Sequence, residues 1–127
     1  KLSSLSISSC HDLKFVFPLY IARSLLQLEG LHVEDCNSIK EIIVTAEDHT
    51  HKQSKIIFPT LWSLTLEKLP NLDCFCSSTC PIDLPTCSNM RVPKMKTFGY
   101  GTVYTPQLRG LYVDGTFFRT YEDLNDL

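Results

Sequence analysis

Five segments of this 127-residue chain repeat one apolar spacing, and three of them carry it in full as L-x-x-L-x-[LIV]-x-x-[CL]-x-x-[LI]. These are Leu2-Leu5-Ile7-Cys10-Leu13, Leu28-Leu31-Val33-Cys36-Ile39 and Leu61-Leu64-Leu66-Leu69-Leu72. The Leu-x-[LIV] core of each has the period-two alternation of a strand, with its apolar members facing inward and its x positions facing solvent. A single unit of this kind cannot bury its apolar face. It must stack on neighbours, so the chain is constrained to a repetitive coil whose function lies on a surface.

The spacing is that of a cytosol-type leucine-rich repeat. Aligning the units on Leu5, Leu31, Leu64, Met90 and Leu111 gives steps of 26, 33, 26 and 21 residues, mostly near the ~20–29 expected. The long step contains Thr45 to Lys55, a polar stretch without apolar period that reads as a loop on the convex side. Unit four, over 87–98, reads as degenerate, because Met90-Arg-Val92 runs into Pro93-Lys-Met95 without a clear x-x-Cys step. Leu19 to Leu28 has apolar residues at near-helical intervals after Pro18, a suitable first helical residue, and predicts a convex helix. Cys10 and Cys36 stand where most such repeats carry Asn and are expected to pack as small buried hydrophobes. Thr116-Phe117-Phe118-Arg-Thr-Tyr121 is expected to cover an open sheet edge, and Glu122, Asp123 and Asp126 to complete a C-terminal cap over 114–127. The predicted fold class is therefore α/β: one domain over 1–127, a curved right-handed solenoid of four to five units. It has a concave parallel sheet and an irregular convex side holding one helix.

A formal charge of −2 gives no electrostatic reason to expect nucleic acid as a partner. No apolar run of the ~18–20 residues needed for a membrane span is present, nor a signal peptide. The six cysteines occur without an N-x-[ST] sequon and partly at repeat positions, which favours reduced thiols in a cytoplasmic or nuclear compartment. The chain starts inside a repeat without a polar-faced cap, so it reads as a fragment of a longer protein, with an N-terminal edge prone to self-association.

Outward x positions are free of core packing and are the candidate partner-binding residues. Unit one presents serines only; unit two presents His32, Glu34 and Asp35; unit three presents Trp62, Thr65 and Glu67. Arg91, Arg109 and Tyr112 follow, so charge passes from acidic to basic along the face, a pattern suited to oriented docking. Trp62 is the only tryptophan and a residue type enriched at interface hot spots.

The chemical alternatives are weaker. Cys74-x-Cys76-x3-Cys80-x6-Cys87 offers four thiols but lacks the C-x2-C knuckle of a structural zinc site. His49-x-His51 sits in a polar loop with no further ligand pattern. Cys10-His11 are sequence neighbours whose side chains diverge, with no third group to orient them as nucleophile and base. Gly99-Tyr-Gly101 lacks the third glycine of a dinucleotide loop and reads as a flexible turn, and no G-x-x-x-x-G-K-[ST] is present. No catalytic residue, metal or cofactor is expected.

Longer phrases carry a family resemblance. Ser4-Leu5-Ser6-Ile7-Ser8-Ser9-Cys10 with Val16-Phe17-Pro18, Ser38-Ile-Lys-Glu-Ile-Ile43, Phe58-Pro-Thr-Leu61, Leu69-Pro-Asn-Leu72 and Pro93-Lys-Met-Lys-Thr-Phe98 occur in order over nearly the whole chain. It resembles the C-terminal leucine-rich repeats of plant intracellular nucleotide-binding disease-resistance proteins of the coiled-coil class. The resemblance implies an innate-immunity receptor segment in the plant cell that senses a pathogen effector or a guarded host protein. It also implies restraint of the receptor's own nucleotide-binding domain. The alternative is a substrate adaptor of a ubiquitin ligase, whose F-box would lie at the N-terminus; none is present.

Overall fold

The computed structural model describes residues 3–45 and 55–118. Each unit opens with a strand of one six-stranded sheet, ordered β1 (Ser4–Ser8), β3 (Gly30–Glu34), β6 (Ser63–Glu67), β9 (Asn89–Val92), β11 (Gly110–Val113) and β12 (Thr116–Phe118). The first five are parallel, and β12 returns antiparallel along β11. The register sets Leu5, Leu31, Leu64, Met90 and Leu111 in one row. The sequence alignment of the five units is therefore the physical alignment of the strands.

After leaving this sheet the chain contributes to two smaller parallel sheets. One joins β2 (Phe17–Pro18), β4 (Glu41–Val44) and β7 (Cys74–Cys76); the other joins β5 (Ile56–Ile57), β8 (Ile82–Asp83) and β10 (Val103–Tyr104). The expected irregular side is thus two regular short sheets. The expected helix shrinks to one turn, α1 (Leu19–Ala22), with Pro18 at its N-cap. Leu25 and Leu28 pack inward from turns instead. Short apolar runs such as Ile42-Ile43 and Cys74-Phe75-Cys76 pair with equivalent runs one unit away, and neighbour pairing rather than helical propensity decides their conformation.

Repetition also satisfies the backbone. The Glu29 carbonyl accepts from the Trp62 and Ser63 N–H groups at 3.0 and 3.3 Å, that of Trp62 from Ser88 and Asn89 at 3.1 and 3.2 Å, and that of Ser88 from Arg109 and Gly110 at 3.1 Å each. The Thr60 hydroxyl reaches the Leu26 and Leu28 carbonyls at 3.2 and 2.9 Å, and Thr86 repeats this on Pro59 and Leu61, both at 3.1 Å. Turn groups that would otherwise be orphaned are paired unit to unit.

The three sheets enclose one core. It contains Leu28, Leu31, Val33, Ile42, Phe58, Leu64, Leu66, Phe75, Met90 and Phe98, and no polar or charged residue is buried among the described residues. Phe75 meets Phe58 edge-on at 6.5 Å and stacks on Phe98 at 4.8 Å, so an aromatic column links units two to four.

Several sequence expectations are corrected. Unit four is intact in its core: Cys87, Met90, Val92, Met95 and Phe98 are all buried, with the spacing of Leu28, Leu31, Val33, Cys36 and Ile39. Met95 takes the place of Cys36. The irregularity is confined to the turn, where Ser9, Asp35 and Lys68 in the other units adopt φ of 57, 57 and 53°. Unit four has Lys94 there, outside the left-handed region, after Pro93, whose fixed φ and missing N–H interrupt the ladder. Pairing of β9 with β6 accordingly ends at Thr65 and Arg91.

Cys36 is buried, but Cys10 is exposed because β1 has a neighbour on one side only. Cys74 and Cys76 are buried in β7 beside Phe75. Gly99 and Gly101 do not form a flexible turn. Gly99 bridges to Cys76, and a Cβ on Gly101 would collide with the Thr79 and Cys80 carbonyl oxygens, so only glycine fits that close approach. The segment with His49 and His51, expected as a convex loop, and the acidic end of the expected cap at Glu122, Asp123 and Asp126 lie outside the described residues.

Candidate functional site

The outer face of the six-stranded sheet carries the side chains that the core rejects. Parallel register arranges them in rows. Ser6, His32, Thr65, Arg91 and Tyr112 form one row; Ser8, Glu34 and Glu67 form the next. Trp62 and Arg109 belong to the turns that enter β6 and β11, and Asp35 to the turn that leaves β3. Every candidate residue named from the sequence therefore lies on this face or at its rim, the strand residues by alternation and Asp35, Trp62 and Arg109 in the turns that flank the strands.

The residues fall into three groups. In the first, His32 Nε2 and Glu34 Oε1 are 2.9 Å apart, and the Lys68 ammonium lies 3.8 Å from the other Glu34 oxygen. Glu67 stands directly across from Glu34. In the second, the Arg91 guanidinium lies 4.1 Å from the centre of the Tyr112 ring, which in turn contacts Phe117 at 5.1 Å. Cation–π contact holds Arg91 over the sheet and leaves its N–H edges for another acceptor. Between these groups runs an open groove of about 280 Å³ bordered by Glu34, Glu67, Lys68, Arg91, Tyr112 and Asp114. The third group is at the N-terminal rim, where Trp62 keeps 53 % of its surface exposed and Arg109 is exposed beside the Ser88 carbonyl. Asp35 is partly withdrawn: its carboxylate accepts the Ser9 hydroxyl at 3.1 Å and its N–H donates to the Glu67 carbonyl at 3.0 Å.

Lys68, an outward residue of unit three in the sequence, and Phe117, which was not a candidate, complete this site. Lys68 follows its strand as an ordinary outward residue, and only its position over Glu34 gives it a partner. Phe117 reads in sequence as edge cover; the antiparallel return of β12 brings it to Tyr112.

The sulfur-rich segment has a different chemistry. Burial pushes the Cys74 thiol up to about 12, with the Glu41 carboxylate adding to it, and pushes Cys76 and Cys87 up to about 11. Buried neutral thiols are inert packing groups. Among the described residues, the only set of three or more His, Cys, Asp or Glu ligand atoms within 4.8 Å of one another is His32, Glu34 and Glu67. The four thiols therefore do not converge on a point.

No helix among the described residues is long and apolar enough to cross a membrane. The family model of plant disease resistance protein RPS2-like leucine-rich repeats matches residues 1–96. No curated protein and no solved structure matches the chain. The family match covers units one to three and runs through Met95 of unit four, which includes four of the six strands of the large sheet, and about three quarters of the 127-residue chain. On that ground the chain belongs to the leucine-rich repeats of RPS2-like plant disease resistance proteins.

Proposed function

We propose that this chain is the recognition segment of an intracellular plant immune receptor, and that its six-stranded face, concave in the assembled solenoid, binds a protein. The partner is a pathogen effector or a guarded host protein. In the resting receptor the same segment restrains the nucleotide-binding domain. Membership in a disease-resistance family supports a defence-related protein-interaction role.

One observation carries the assignment to this face: its side chains are not committed to the core, yet several are held in place by one another. Trp62 is exposed, Arg91 is braced on Tyr112, and Glu34 is flanked by His32 and Lys68. Large, pre-positioned aromatic and arginine groups lose little freedom on association, which is why such residues dominate interface energetics. The acidic and basic groups lie two strands apart, roughly 10 Å, and complementary charges at that separation fix the orientation of a docked protein.

The test is a pulldown from plant extract comparing the wild-type chain with a Trp62→Ala, Arg91→Glu double variant, probed for the receptor's nucleotide-binding domain and for co-purifying host proteins. Both substitutions are at exposed sites and should leave the melting temperature nearly unchanged. Loss of a specific partner with the fold intact supports recognition by this face. Undiminished capture by the double variant refutes it and moves recognition to the polar segment from Thr45 to Lys55.

A further inference from the structure

We propose that His32, Glu34 and Glu67 form a binding site for a zinc-class divalent transition metal on the sheet face. Their ligand atoms all lie within 4.8 Å of one another. The convergence follows from strand geometry. His32 and Glu34 are two residues apart on β3 and project from the same side, and Glu67 on β6 is the register partner of Glu34. One imidazole and two carboxylates match the donor chemistry of sites that use three protein ligands and keep a further position open.

The electrostatics point the same way. Two glutamates directly opposed on adjacent strands repel each other, and both side chains are only partly exposed. What offsets that repulsion in the protein alone is modest: the His32 ring at 2.9 Å, charged only when protonated, and a solvent-exposed Lys68 ammonium at 3.8 Å. A divalent cation would supply two positive charges to the same atoms. Zinc bonds to His nitrogen and carboxylate oxygen are about 2.0–2.2 Å long, which places donors about 3.4 Å apart in a tetrahedral set. Binding would draw donors that lie within 4.8 Å of one another closer together and displace Lys68 from Glu34. The open position would face the adjoining groove toward Arg91 and Tyr112. That is where a histidine, cysteine or carboxylate from a docked protein would complete the shell. This goes beyond the proposed recognition role and is testable without any partner.

The experiment uses the 127-residue chain, stripped with chelator and kept reduced. It is titrated with zinc chloride by calorimetry and with cobalt(II) by visible absorption, alongside His32→Ala, Glu67→Gln and, as a control elsewhere on the face, Glu29→Gln. Circular dichroism melts establish that each variant is folded. The expected result is one ion per chain, with affinity lowered at least about tenfold in His32→Ala and in Glu67→Gln, the scale on which even outer-shell partners act, and unchanged in Glu29→Gln. Cobalt should give nitrogen- and oxygen-ligand bands without thiolate charge transfer. Absence of saturable binding, equal affinity in all four proteins, or a thiolate-to-cobalt band would each overturn the site.

Discussion

Replacing Phe75 with alanine tests the aromatic column most directly. Phe75 is fully buried, edge-on to Phe58 at 6.5 Å and stacked on Phe98 at 4.8 Å with an interplanar angle of 6°. Burying an aromatic side chain removes about 150–250 Å² from water, worth roughly 4–6 kcal/mol at ~25 cal/mol per Å², an upper figure because the unfolded chain is already partly collapsed. Measured Phe→Ala losses in cores run about 3–5 kcal/mol. The rings on either side belong to units two and four and cannot both shift to fill the void without breaking sheet register, so about 4 kcal/mol is expected. That is a large share of the ~5–15 kcal/mol typical of a folded domain. Urea unfolding followed by far-UV circular dichroism should show the transition midpoint falling with little change in slope. A Phe75→Ala, Phe98→Leu cycle should show coupling of about 0.5–1.5 kcal/mol. A loss below about 1.5 kcal/mol with no coupling would mean that the two rings do not share a core, and the packing of units two to four would have to be redrawn.

Three further outcomes are expected. Cys36→Asp puts a carboxylate at a position with no solvent exposure and should destabilise by about 3 kcal/mol or more; an unchanged melting temperature would refute the burial of that turn. Native-state alkylation at neutral pH should modify Cys10 rapidly while the five buried thiols react only on unfolding. At alkaline pH the sign follows from the raised thiol values: above the ordinary value of 9 the unfolded thiols ionise while folded Cys74, Cys76 and Cys87 stay protonated. Their contribution to stability is complete below pH 9 and is lost as pH rises through about 11 to 12. A melting temperature flat across that window would contradict it.

Legibility from sequence divided along a physical line. The row of Leu5, Leu31, Leu64, Met90 and Leu111 was readable because each strand position is defined locally by alternation, and stacking merely repeats it. The expected defect in unit four rests on the missing x-x-Cys step; Val92-x-x-Met95 preserves the core spacing with Met95 in the place of Cys, and Pro93 disturbs only the turn it occupies. Leu19 to Leu28 has helical spacing, yet the helix stops after Ala22, and Leu25 and Leu28 pack inward through turns closed by Leu25 N–H to the Ala22 carbonyl and Leu28 N–H to the Leu25 carbonyl.

The sequence by itself determined the number and alignment of the units, the inward and outward sets of residues, and hence the face on which His32, Glu34, Trp62, Glu67, Arg91 and Tyr112 lie. Only the tertiary structure decided which of them meet. His32 and Glu34 lie within reach of Glu67, and Arg91 of Tyr112, because strands 21 to 33 residues apart in the chain are brought side by side in the sheet. Likewise Cys10 is exposed and Cys36 buried at the same repeat position. Burial depends on how many neighbouring units cover a residue, a property of the stack and not of the repeat.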